Sequence, residues 1–119
     1  MLNLDTHILV FALNGQLTTK EKRILSGADW SISAIVLWEL AKLVQLGRIE
    51  LDLGSPELQR ALAAIHVWPI DLAVARASTS LDFRSDPADE LIAATSVVHG
   101  VPLVTRDGRI RQSKLVPFA

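Results

Sequence analysis

Asp5, Glu39, Asp89 and Asp107 are the side chains whose type and spacing could do chemistry. Asp5 directly follows the alternation Leu2-Asn3-Leu4, and Asp107 follows "VPLVTR". Asp89 lies in the acidic head of "DPADELIAATSVVHG", residues 86–100, and Glu39 interrupts the apolar run "AIVLWELAKLVQLG". Like carboxylates repel, so a cluster of them needs a counter-cation. The chain has no cysteine, and His7, His66 and His99 share no spacing, which leaves oxygen ligands. Such a set suits Mg2+ or Mn2+. Carboxylate-held Mg2+ commonly binds phosphate oxygens as well, and the chemistry that follows is phosphodiester hydrolysis.

Each acid also has a purely local explanation. Asp5 suits the N-cap of a following helix. Glu39 shares a ridge with Ile35, Leu43 and Leu46, where a carboxylate is costly unless paired. It either pairs with Lys42, reaches solvent, or belongs to a site. Asp107-Gly108 is a turn signal, and "LVTRDGRIR" is compatible with a β-hairpin. Asp86 reads as an N-cap with Pro87 at the first helical position, and Asp89 as the acidic partner of a capping box. Asp86, Asp89 and Glu90 all favour the positive end of the helix dipole.

The elements that must position these residues alternate along the chain. "LNL", "WSIS", "VWPI" and "VPLVT" read as short buried strands, with "KLVPF" as a candidate last one. "THILVFALNG", "TTKEKRILSG", "AIVLWELAKLVQLG", "SPELQRALAAIH", "DLAVARASTSL" and the segment after Asp86 read as helices. Ser33 and Ser55 are expected N-caps, with Pro56 at a first helical position and Gly27 and Gly47 as stop signals. Strands alternating with helices imply an α/β domain with a mostly parallel sheet and helices on both faces. Sites in such folds gather outside the carboxyl ends of the strands. Asp5 and Asp107 end expected strands, Asp89 opens a helix feeding the Asp107 strand, and Glu39 lies in a helix after another. All four are therefore expected near one rim.

The 119 residues fit one domain, 1–119, and 50% hydrophobic with 21% charged residues argues against disorder. A net charge of −1 excludes a globally basic nucleic-acid binder but not a local basic patch. No apolar run approaches the roughly 20 residues needed to span a bilayer, and Asn3, Asp5 and His7 break any leader-like start. A cytoplasmic protein with no membrane association is the expectation. Trp30, Trp38 and Trp68 sit in apolar contexts that suit core or interface packing.

The pieces "LNLDTHILVFAL", "ISAIVLWELAKLVQLGRI" and "DPADELIAATSVVHGVPLVTRD", in this order, resemble PIN-domain ribonucleases, and among them VapC-type toxins of type II toxin–antitoxin systems. The resemblance covers nearly the whole chain. It implies a PIN-like three-layer α/β/α sandwich and an Mg2+- or Mn2+-dependent endoribonuclease whose cleavage of RNA arrests growth. It implies that Asp5, Glu39, Asp89 and Asp107 hold the metal and are catalytic, with Asp86, Thr6 and Thr105 auxiliary to them. It further implies a homodimer, a cognate antitoxin whose C-terminal segment covers the active-site groove, and transfer or ribosomal RNA as substrate. The chain departs from the pattern at Glu90, where many toxin-like members carry Arg. Arg84, Arg106, Arg109 and Arg111 surround the acidic segments and are candidate RNA-phosphate contacts, with a solvated face as the plainer reading.

Two other functions compete. One is a catalytically inactive PIN-like module that binds RNA or protein. The other is a phosphoacceptor receiver domain, which calls for an acidic pair after the first strand; here Asp5 is followed by Thr6 and His7.

Overall fold

The computed structural model describes residues 1–119. Four strands form the sheet: β1 (Leu2–Leu4), β2 (Trp30–Ser33), β3 (His66–Trp68) and β4 (Leu103–Val104). All pairings are parallel, in the order β3-β2-β1-β4. Seven helices accompany them: α1 (Thr6–Leu13), α2 (Thr19–Leu25), α3 (Ala34–Gln45), α4 (Pro56–Ala63), α5 (Leu72–Ser78), α6 (Pro87–His99) and α7 (Gly108–Arg111). Successive residues of a strand point to opposite faces. Asn3 and Leu4 are both fully buried, as are Ser31 and Ile32, so both faces of the sheet are covered. This is the α/β/α layering of a PIN-like fold. A receiver-type order would place β2 at an edge; here β2 lies between β3 and β1.

The chain steps from β1 through β2 to β3, then returns across β1 to β4. The reversal makes a topological switch point between β1 and β4. Crevices at such points lie outside the carboxyl ends of the strands, which here lead into Asp5 and Thr105.

Most elements start where the local chemistry says they should. Thr18 and Glu21 form a reciprocal capping box on α2, Ser33 caps α3, and Ser55 caps α4 with Pro56 at its start. α6 ends at Gly100, whose φ of 64° is the left-handed conformation a glycine adopts without strain. Leu4, Ile8, Leu9, Ile32, Ile92 and Leu103 form the centre of the core. Along α6 the buried Ala93, Ala94 and Ser96 are small. They allow the helix backbone close to β1, where the buried Asn3 donates from Nδ2 to the Ile92 carbonyl at 3.2 Å and to Ser96 Oγ at 2.9 Å.

Several local expectations are corrected. The third strand is His66–Trp68, because Pro69 has no N–H to extend the ladder. "KLVPF" forms only one bridge, between Phe118 and Leu103. Asp107-Gly108 is no hairpin turn; Asp107 caps α7. Of the core and interface readings of Trp38, its 55% exposure removes the core. His66 and His99, unrelated in spacing, meet on Trp68: its ring stacks on His99 at 4.0 Å between centroids and meets His66 edge-on at 4.3 Å.

Candidate acidic site

Neighbours hold both oxygens of Asp5 and one oxygen each of Glu39, Asp89 and Asp107. Asp5, at the end of β1 and start of α1, is 5% exposed. Its Oδ1 accepts from the Thr6 N–H at 2.8 Å, and its Oδ2 from the Thr105 hydroxyl at 2.6 Å. Thr105 Oγ1 also accepts from the Asp107 N–H at 3.0 Å, so this one hydroxyl ties the ends of β1 and β4 together. Asp107 Oδ1 accepts from the N–H groups of Arg109 and Ile110, leaving Oδ2 free. On α3, Glu39 Oε1 accepts from the Thr6 hydroxyl at 2.5 Å, leaving Oε2 free. On α6, Asp89 Oδ2 accepts from the Ser85 hydroxyl at 2.8 Å, leaving Oδ1 free.

The electrostatics bind the four into one constellation. Burial pushes the Asp5 carboxyl above its ordinary value, against the hydrogen bonds from Thr105 and Thr6; the Asp107 charge adds to the rise. Burial pushes Asp89 up to about 6, the Ser85 hydroxyl opposes this, and the charges of Asp5, Glu39 and Asp107 raise it further. Four acids from four separate segments therefore share one field, which a divalent cation would neutralise. No three Asp, Glu or His side chains stand as a ready-made direct ligand set. The donor chemistry still fits Mg2+, which dehydrates reluctantly and takes one or two carboxylates while keeping several waters. Asp5, Asp89, Asp107 and Glu39 are the residues that could hold it, directly or through water.

The structure handles the remaining expected site residues differently. Asp86 occupies the N-cap position of α6, but its exposed side chain makes no capping hydrogen bond. With Glu39, Trp38 and Leu91 it lines an apolar cavity beside the acids. Asp89 is engaged by Ser85 rather than by a reciprocal capping box. Ser85 was missed at the level of sequence; its only signal is a hydroxyl one turn ahead of Asp89. Glu90 turns to the same loop, where its Oε2 accepts from the Ser85 N–H at 3.4 Å. Lys42 does not pair with Glu39; it donates to Gln45.

Among the arginines, Arg106 is committed elsewhere. Its guanidinium makes two 2.7 Å hydrogen bonds to Glu21, donates to the Gln16 carbonyl and lies 3.9 Å from the Phe11 ring centroid. These bonds hold Glu21 down at about 2. Arg109 donates to the Arg84 carbonyl, and Arg111 to the Thr105 carbonyl at 3.3 Å. The Arg84 side chain is exposed and makes no hydrogen bond or ion pair within the chain.

Comparison with known proteins gives a consistent family. The PIN domain profile matches residues 3–114. Ribonuclease VapC22 of Mycobacterium tuberculosis is 33% identical over 118 residues, covering 93% of this chain and 90% of that protein. The structure of VapBC2 from Rickettsia felis, bound to a DNA fragment from their promoter, superposes with a TM-score of 0.73 at 19% identity, covering 100% of this chain and 98% of the other. FitAcB from Neisseria gonorrhoeae superposes with a TM-score of 0.72 at 24% identity, covering 100% and 97%. At these identities the two structural likenesses speak to the fold alone.

Proposed function

The chain belongs to the PIN-domain family, among its VapC-type members, and from this we propose that it is a divalent-metal-dependent endoribonuclease, the toxin of a toxin–antitoxin pair. What supports the reading is that the charges of Asp5, Glu39 and Asp107 all act on Asp89, and that Thr105 joins Asp5 to the Asp107 backbone where β1 and β4 end. Homology to a ribonuclease over 93% of this chain and 90% of that protein supports the substrate class.

Asp5, Glu39, Asp89 and Asp107 would hold Mg2+ or Mn2+ directly or through water, and the bound ion would supply Lewis acidity for phosphodiester hydrolysis. The chain's residues prepare the place. Thr105 and Thr6 fix both oxygens of Asp5, so this carboxylate enters with its geometry set. Thr6 orients Glu39 from the next residue, and Ser85 orients Asp89. The free oxygens Asp89 Oδ1, Glu39 Oε2 and Asp107 Oδ2 would be the donors for a cation or its waters. Exposed Arg84 and Arg109 stand near the α6 start and are placed to meet RNA phosphates.

The whole of residues 1–119 acts as one domain in this reading, in the cytoplasm, and no helix is long and apolar enough to cross a membrane. The partner in this reading is an antitoxin; a toxin–antitoxin complex from Klebsiella pneumoniae shares the fold. The exposed Leu37 and Trp38 of α3, with the exposed Leu46 at its C-cap, support a homodimer.

Purified protein freed of any partner should cleave structured RNA such as transfer or ribosomal RNA with Mg2+ or Mn2+, and EDTA should stop it. Asp5→Asn and Asp89→Asn should each reduce cleavage by at least 100-fold, on the order of the loss of one preorganised electrostatic contact, while circular dichroism remains native. Undiminished cleavage by the folded variants removes these residues from the mechanism. RNA binding without any cleavage supports the inactive-module reading instead. Growth arrest on induction that disappears with Asp5→Asn tests the toxin role.

A further inference from the structure

A cavity of about 310 Å³ opens beside Thr105, bounded by α2, β4 and Arg111. It is separate from the free oxygens of the acids, yet Thr105 borders both. Leu103 donates to the Pro117 carbonyl and accepts from the Ala119 N–H, so the terminal segment covers β4's outer edge there. Thr105 follows directly on β4, beyond that cover. Its carbonyl is taken by Arg111, and its N–H has no acceptor.

The charges of the cavity divide into a satisfied pair and an unsatisfied remainder. Arg106 and Glu21 neutralise each other across 2.7 Å. Lys20 and Arg111 also line the cavity, and neither has a carboxylate within ion-pair distance. The Thr18 hydroxyl accepts from the Glu21 N–H, so its proton is free to be donated. Two cations without a carboxylate partner, the Thr18 hydroxyl and Thr105 thus line one space, together with the main chain of Ala119 and the Glu21 carboxylate already paired to Arg106. That is a donor set for an anion.

We propose that this cavity is a second phosphate site, which binds the backbone phosphate of single-stranded RNA next to the one being hydrolysed. The assignment rests on the proposed ribonuclease function, since Thr105 links the two places: its hydroxyl holds Asp5, and the same residue lines the cavity. Glu21 keeps Arg106 in place, while Lys20 and Arg111 bind the phosphate. The acids alone repel RNA, and the cavity supplies the attraction that holds the strand across them.

The test is binding, read without cleavage. In EDTA and in an Asp89→Asn background, a fluorescent single-stranded RNA oligonucleotide is titrated by anisotropy over a salt series. Lys20→Ala and Arg111→Gln should each weaken binding several-fold and flatten the plot of log K against log salt by about 0.7 per cation removed. Lys22→Ala, on the same helix but outside the cavity, should leave the slope as in the parent. Lys20 is exposed and makes no contact the fold needs, so its variant stays interpretable if Arg111→Gln misfolds. Equal slopes and affinities for the Lys20 and Lys22 variants, or no binding by the parent, overturn the proposal. Cleavage by the unmodified chain is scored separately. An active enzyme with unchanged slopes sinks only the cavity, and altered slopes without cleavage sink only the ribonuclease reading.

Discussion

Asp89 and Asp5 hold their protons more tightly in the folded chain than carboxyls ordinarily do, so their titration belongs to the stability of the protein as well as to its chemistry. Between the ordinary value of 3.8 and about 6, the folded state retains a proton on Asp89 that the unfolded state has lost. Stability must therefore fall as pH rises through that window. Glu21 works in the opposite sense, but its stabilisation is lost only as pH falls from 4.5 towards about 2. The metal-free protein should consequently melt at a higher temperature at pH 4.5 than at pH 6.5. Asp89→Asn should flatten that slope, and Mg2+ or Mn2+ should restore stability at pH 6.5 by binding the ionised acids. Differential scanning fluorimetry across the window reads all three; a wild-type melting temperature that rises from pH 4.5 to 6.5 in EDTA contradicts the account. The same residue shows what local sequence reasoning could do. The position of Asp89 in a first helical turn was legible from "DPADE", because capping preferences are short-range. Its hydrogen bond from Ser85, and the failure of the Asp86 side chain to cap, depend on how the preceding loop arrives.

At the scale of elements, the separation of Asp5 from Asp89 is a matter of register between β1 and α6. Asn3 is clamped to the Ile92–Ser96 turn of α6. From Asn3 to Asp5 the strand advances about 6.6 Å. From the middle of the Ile92–Ser96 turn back to Asp89, the helix advances about 7.5 Å. The clamp thus brings the two carboxylates to the same level at the rim. Asn3→Ala should lower the unfolding free energy by about 1–3 kcal/mol, through lost hydrogen bonds in a fully buried place. It should also lower cleavage more than a surface change of equal stability cost does. Urea unfolding with parallel assays checks this, and a variant as stable and active as wild type removes the clamp. The strand LNL and the helix after Pro87 were readable separately. The buried Asn3 was passed over in sequence because nothing within a few residues of it supplies its partners, which lie 89 and 93 positions away.

For the molecule as a whole, the exposed apolar residues of α3 and its C-cap carry an expectation about assembly. Trp38 is 55% and Leu46 63% exposed, and solvent-facing aromatics of this size commonly mark interfaces. Light scattering at micromolar concentration should give a dimer for the wild type and a monomer for Trp38→Glu, with circular dichroism unchanged. A monomeric wild type ends the homodimer proposal. By itself, the sequence determined the α/β alternation, most helix starts, and the identity of the acids worth watching. These follow from side-chain periodicity and capping, whose physics acts within about one turn or one strand pair. The tertiary structure alone decided that Asp5 and Thr105 touch across 100 positions, that Arg106 is spent on Glu21, and that Lys20 and Arg111 face one cavity. Those facts depend on the return of the chain across β1 to β4. Strand order is set by which distant faces bury best together, and no local stretch of residues carries that information.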